Sequence, residues 1–144
     1  MGNYMVVKLG GTSISNNAVT VEVGKSIYPA QNILQNMTVG SIIELNQKVS
    51  LPLAVFVNDQ FVAKAQAVIS QGSAAIKILE IIDESRNISI FTKNEIIALD
   101  TNKSAGGVFI CDAFVNNSLV ANGKLVTVGE NFALCIERIV SNGQ

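Results

Sequence analysis

The chain repeats itself. Val57-Asn58-Asp59-Gln60-Phe61-Val62-Ala63 matches Val115-Asn116-Asn117-Ser118-Leu119-Val120-Ala121 at a constant offset of 58 residues, and the match runs without a gap from Val57–Ile82 onto Val115–Val140. Eight of those 26 positions are identical, among them Val68/Val126, Ala75/Ala133, Ile78/Ile136 and Ile81/Ile139, and many others stay apolar. A shorter echo precedes each copy, Ile42-Ile43-Glu44-Leu45 and Ile96-Ile97-Ala98-Leu99, at an offset of 54, so the second copy carries four extra residues around Thr101–Gly107. A repeated β unit of this size has long strand edges and a thin core, and pairing two such units hides both.

The apolar runs are short, rich in Val and Ile, and separated by Gly, Asn, Asp and Ser, a pattern that predicts strands. The expected strands are Met5–Leu9, Val19–Val23, Ser41–Leu45, Leu53–Val57, Phe61–Ser70, Ala74–Ile82, Ile88–Phe91, Glu95–Leu99, Val108–Val115, Leu119–Val128 and Ala133–Val140. Asn58-Asp59 and Asn116-Asn117 stand where tight hairpins need residues that tolerate positive φ. Residues 29–36 differ: Pro29 suits a first helical position, and Ile33, Leu34 and Met37 share one side, so a two-turn helix is expected there. It has no clear counterpart before Ile96. The fold class is therefore all-β with one short helix.

With 144 residues, 49% of them hydrophobic and 15% charged, the chain has ample material for a core. The charged fraction is low and the mean hydropathy is positive, which points to apolar surface covered by a partner or a second copy. Ten basic residues against eleven acidic ones, with no basic stripe, exclude nucleic acid as a partner. No apolar run reaches the roughly 20 residues of a membrane helix, and the first residues lack the layout of a signal peptide, so no direct membrane insertion is expected. Cys111 and Cys135 sit inside apolar runs and read as buried small hydrophobes rather than a disulfide. The Asn-x-Ser/Thr matches at Asn36, Asn87, Asn102 and Asn116 are not read as glycosylation sites.

Val19-Thr20-Val21-Glu22-Val23-Gly24, Asn32-Ile33-Leu34 and Val39-Gly40-Ser41-Ile42-Ile43-Glu44-Leu45 follow one another in a particular order. Leu51-Pro52-Leu53-Ala54-Val55-Phe56-Val57-Asn58, Phe61-Val62-Ala63-Lys64-Ala65-Gln66 and Ile76-Lys77-Ile78 continue it. This series resembles the SpoA (surface presentation of antigens) domain of the flagellar motor switch proteins FliN and FliM and their type III secretion counterparts. The resemblance covers Val19 to Ile82, and Val108 to Val140 for the second copy. Two features depart from it. Family members often carry Ala-Arg-Gly-Glu in the hairpin arm, where this chain has Ala63-Lys64-Ala65-Gln66 and Ala121-Asn122-Gly123-Lys124, and Met1–Ala18 matches nothing in the pattern.

The resemblance implies an intertwined β-barrel pair formed by two repeated units, residues 19–83 and 84–144, with residues 1–18 an unassigned strand. It implies a structural component of a bacterial flagellar switch or type III secretion ring, at the cytoplasmic face of the inner membrane, without a cofactor. Its partners would be other switch or secretion-ring subunits and export-apparatus proteins, with a homodimer as a further possibility. Carried over by position, the partner-binding arm is Ala67, Val68 and Ile69 in the first unit and Leu125, Val126 and Thr127 in the second.

Catalytic chemistry finds little support. The chain has no histidine, its carboxylates are scattered, and two isolated cysteines do not make a zinc site. Lys8-Leu9-Gly10-Gly11-Thr12-Ser13 resembles the amino-terminal element of aspartate kinases, and a glycine turn there would present backbone N–H groups to an anion or nucleotide. The chain is too short for such a kinase and lacks its alternation of helices and strands. Glu84-Ser85-Arg86-Asn87 resembles part of the chemotaxis phosphatase signature, but the required downstream proline is missing. The expectation is a non-enzymatic assembly module. The alternatives are a generic β-barrel that binds a peptide or small ligand, and a small anion- or nucleotide-binding protein using Lys8 to Ser13.

Overall fold

A computed structural model describes residues 3–14, 16–82, 91–99 and 108–140. Ten strands and one short helix follow in the order β1 (Tyr4–Ile14), β2 (Asn17–Pro29), α1 (Ala30–Leu34), β3 (Ile42–Lys48), β4 (Leu53–Val57), β5 (Gln60–Ser70), β6 (Ser73–Ile81), β7 (Ile96–Ala98), β8 (Ile110–Val115), β9 (Ser118–Val128) and β10 (Asn131–Ile139). The described protein is all-β apart from α1, as the spacing of apolar runs predicts.

The chain divides into two compact units, neither of them continuous in sequence. One contains Met1–Leu9, Val23–Ser50 and Ile110–Gln144; the other contains Gly10–Glu22 and Leu51–Phe109. The first is a closed six-stranded antiparallel barrel in the cyclic order β1-β8-β9-β10-β3-β2, with β2 returning to β1. Met5, Val7, Leu9, Val23, Leu45, Leu134 and Ile136 fill it. In the second unit the strand order is β1-β2-β4-β5-β6-β7, around Val19, Val21, Val55, Ala65, Ile76 and Ile78.

The repeat is reproduced pair by pair in the hydrogen-bonded registers. β4 pairs β5 through Leu53↔Ala65 and Val55↔Ala63, then slips by one residue to Phe56↔Phe61; β8 pairs β9 through Cys111↔Gly123 and Ala113↔Ala121, then slips to Phe114↔Leu119. β5–β6 and β9–β10 agree in the same way, including the irregularity beside Lys64/Ala65 and Ile136/Arg138. Asn58 and Asp59 adopt φ of 49° and 69°, Asn116 and Asn117 53° and 66°. These are the left-handed values that a two-residue hairpin of matching twist requires and that asparagine and aspartate tolerate.

The shorter echo obeys the same rule. β3 pairs β10 through Ile42↔Cys135, Ile43↔Leu134 and Glu44↔Ala133, and β7 pairs β6 through Ile96↔Lys77, Ile97↔Ile76 and Ala98↔Ala75. The turns before these strands match too. Thr38 N–H donates to Ser41 Oγ and Thr92 N–H to Glu95 Oε1, at 3.0 and 2.8 Å. Each echo strand therefore lies beside the hairpin of the opposite sequence copy.

Several expectations require correction. β2 does not stop at Val23 but runs on to Pro29, because Gly24 carries the strand through a bend. Its φ of 153° disfavours any side chain, and a Cβ there would stand 2.9 Å from the Cβ of Gln47. The helix is shorter than expected, five residues, with Pro29 as its N-cap rather than its first turn. β1 likewise passes straight through Gly10-Gly11 to Ile14, so the glycine turn expected at Lys8–Ser13 does not exist. Lys8 pairs across the ladder with Asp112 and sets its Nζ 5.3 Å from the ring centre of Phe114. An extended strand does not gather its N–H groups around an anion. Of the expected strand Ile88–Phe91 only Phe91 is described, buried but outside any strand. Glu84–Asn87 and Thr101–Gly107 lie outside the described residues.

Ser26 is the one buried polar side chain among the described residues. Its Oγ accepts from Met5 N–H at 3.0 Å and donates to the Tyr28 carbonyl at 2.7 Å, joining β1 to β2 where the barrel closes. Ser26→Ala leaves the Met5 N–H without that acceptor in the barrel wall. The substitution is expected to cost about 1–3 kcal/mol of stability, read from urea unfolding.

Candidate protein-docking surface

The two arms singled out by sequence lie at the C-terminal ends of β5 and β9, ahead of the turns into β6 and β10, one in each unit. On β5, Ala67 and Val68 are half-buried, and Ile69 is 54% exposed. On β9, Leu125 and Val126 are half-buried, and Thr127 is exposed. The three residues of each arm meet the same partners in register: Ala67↔Ile76, Val68↔Ala75 and Ile69↔Ala74 on one, Leu125↔Leu134, Val126↔Ala133 and Thr127↔Phe132 on the other. The two arms are thus geometrically equivalent but chemically different at the tip, an isoleucine against a threonine. Neither carries a charge, so what they offer is a strip of apolar strand.

Gly123, behind the second arm, faces Cys135 so closely that a Cβ would overlap the Cys135 carbonyl. Position 65, its equivalent in the other unit, holds a fully buried alanine. The backbone crossing is therefore tighter in the barrel that contains β9 and β10.

The barrel also presents a cleft that the sequence did not announce. β2 and β3 are in register at Ser26↔Leu45, and beyond that point the tail of β2 turns away towards α1. The wedge between them is a cleft of about 390 Å³ lined by Ile27, Tyr28, Asn32, Ile33, Ile42 and Glu44, among others. Tyr28 is 62% and Ile42 50% exposed. On the other side of the Ser26↔Leu45 pair Asn46 ties the two strands together, its Oδ1 accepting from Lys25 N–H at 3.0 Å. The signal that would have found this cleft is the run Ile27-Tyr28-Pro29, apolar residues placed after a glycine and before a helix one turn and a half long.

No group of acidic, cysteine or histidine residues suited to a metal ion occurs among the described residues. Cys111 and Cys135 are both thiols. Burial pushes the Cys111 thiol well above its ordinary range, and the neighbouring Asp112 carboxylate adds to the effect. A thiol held protonated in this way is no nucleophile.

The comparisons with known proteins bear on this arrangement of strands. Residues 15–83 match the family described as the type III flagellar switch regulator (C-ring), FliN C-terminal. Residues 15–83 belong to the SpoA/FliN family. A stretch of 72 residues is 29% identical to part of the flagellar motor switch phosphatase FliY of Bacillus subtilis, strain 168, covering 50% of this chain and 19% of the relative. The chain thus spans about a fifth of the length of that curated relative, which carries a phosphatase name of its own. The SpoA/FliN match ends at residue 83, before β7 to β10.

The protonated Cys111 gives a pH dependence with a definite sign. Its folded-state pKa is raised, so its contribution to stability is complete below the ordinary thiol value near 9.0. Above that value the unfolded chain loses the proton while the folded chain keeps it, and stability falls by about 1.4 kcal/mol per pH unit. Unfolding curves between pH 8 and about 10.5 are expected to show this extra slope in the natural chain and not in Cys111→Ala.

Proposed function

We propose that this chain is an assembly subunit of a bacterial flagellar switch or of the related type III secretion ring, acting by strand pairing and protein docking rather than by catalysis. The observation that carries the reading is the family match over residues 15–83 together with the repetition of the same registers in β7 to β10. On this reading the second half, residues 84–144, is a further, divergent SpoA-type unit, and the chain holds both halves of an intertwined pair in one polypeptide. Each sequence copy lends its echo strand, β3 or β7, to the hairpins of the other. A homodimer is then unnecessary for either unit to fold. The place of work is the cytoplasmic face of the inner membrane, with other ring subunits and export-apparatus proteins as partners.

The arms on β5 and β9 are the docking strips in this proposal. Ile69 is favoured over Thr127 as the anchor, because a half-exposed isoleucine offers more apolar area for a partner to cover. Recovery of switch or secretion-ring subunits with the tagged chain from its source bacterium is the expected outcome; a folded chain that recovers none contradicts the proposal. Ile69→Asp is expected to reduce recovery of export-apparatus proteins at least tenfold (about 1.4 kcal/mol). Its far-ultraviolet circular dichroism and melting temperature should stay as in the natural chain. Val126→Asp tests the second arm in the same way. Loss of folding in that variant would make Val126 a core residue.

A further inference from the structure

β1 has the same structural role as the first half of β2. β1 pairs β8 through Val6↔Phe114, Val7↔Ala113 and Lys8↔Asp112, and β2 pairs β4 through Thr20↔Phe56, Val21↔Val55 and Glu22↔Ala54. Since β8 and β4 are themselves equivalent at an offset of 58, these registers place each β1 residue on the β2 residue 14 positions later. At that offset the sequences Asn3-Tyr4-Met5-Val6-Val7-Lys8-Leu9-Gly10 and Asn17-Ala18-Val19-Thr20-Val21-Glu22-Val23-Gly24 align without a gap. Asn, Val and Gly coincide at the first, fifth and eighth positions. The inward positions correspond as well: Met5, Val7 and Leu9 are 0–1% exposed, and Val19, Val21 and Val23 0–2%. Gly10 begins the part of β1 that belongs to the second unit, and Gly24 follows Val23, where β2 re-enters the first.

We infer that residues 3–9 of β1 are a built-in donor strand: a second lead strand, set ahead of the first, that occupies an acceptor slot between β8 and the tail of β2. The family resemblance left this segment unassigned and gave the downstream copy no lead strand, and β1 supplies it. The slot has a defined chemistry. One wall is the β8 edge from Cys111 to Phe114, which takes a strand through its backbone. The other is the β2 tail, where Ser26 Oγ accepts the Met5 N–H at 3.0 Å and the Asn3 carbonyl accepts the Ala30 N–H at 2.7 Å. Its occupant must be extended, with apolar residues at alternate positions for the barrel interior. Left empty, the slot would be an unpaired strand edge above an open core, a template for the lead strand of a second copy. Residues 3–9 close it from within the same chain and so hold the chain as a monomer. The inference rests on the strand registers and holds whether or not the flagellar reading is correct.

The test opens the β1–β2 connection in the folded full chain. A protease site is inserted after Asn16, an exposed turn residue with φ of 67°. The uncut protein is expected to be monomeric in analytical ultracentrifugation. After cutting, a fluorescent peptide of residues 3–14 should exchange into the protein, and the same peptide with Val7→Asp should do so at least about a hundredfold less well, because Val7 is fully buried. A second variant reads the same contact with no cut: Lys8→Cys with Asp112→Cys, directly opposite in the ladder, should form a disulfide within one chain. Equal uptake of the two peptides by the cut protein overturns the inference. So does a disulfide in the double variant that links isotopically light to heavy chains in a mixed sample.

Discussion

The antiparallel ladder that seats Ile43 beside Leu134 is the pairing on which the barrel depends. Without it β10 has an open edge and β2 has no neighbour on the side of Leu45, so neither the barrel wall nor its core can close. A contact so distant in sequence is made only after a large loss of chain entropy, and burial of apolar side chains along the whole ladder offsets that loss. Ile43, Leu45, Ala133 and Leu134 are all buried. The same trade recurs where Ile97 meets Ile76. Folding of such a chain is expected to be slow for its size, since the pairings that close the barrel, β3 with β10 and β1 with β8, join strands far apart in sequence.

How much of this was legible depended on whether a feature was local. The hairpins were: two asparagine-rich turns in left-handed geometry, flanked by alternating Val, Ile and Ala, give both position and register, and the offset of 58 carries through to matching bulges. Strand ends at glycine were not. Gly24 and Gly10-Gly11 look like stops, yet both strands continue through them, since a glycine also serves where a strand must bend or approach another backbone closely. The kinase-like reading of Lys8 to Ser13 failed for that reason. The equivalence of β1 and β2 was hidden because three identities in eight residues carry no weight until a ladder fixes the register.

The candidate site was legible only as far as placement. The family resemblance, carried over by position, gave the arms on β5 and β9, and the structure sets both in equivalent ladders. Exposure is a different matter, because near the hairpin turns the alternation of inward and outward residues weakens, and Ala67, Val68, Leu125 and Val126 are half-buried. The cleft beside Tyr28 left only one trace in the sequence, the run Ile27-Tyr28-Pro29 between Gly24 and α1. It arises from the parting of two strands after a single registered pair, which is a property of the backbone path.

The exchange of strands between the two sequence copies turns on which hairpin β3 joins. Nuclear Overhauser contacts between backbone amides of the isotope-labelled full chain answer this directly, with a mixed-label sample to separate contacts within a chain from those between chains. The strand exchange predicts contacts of Ile43 with Leu134 and of Ile97 with Ile76, both within one molecule. Contacts of Ile43 with Ile76 instead would mean that each sequence copy closes on its own hairpin, and would contradict it.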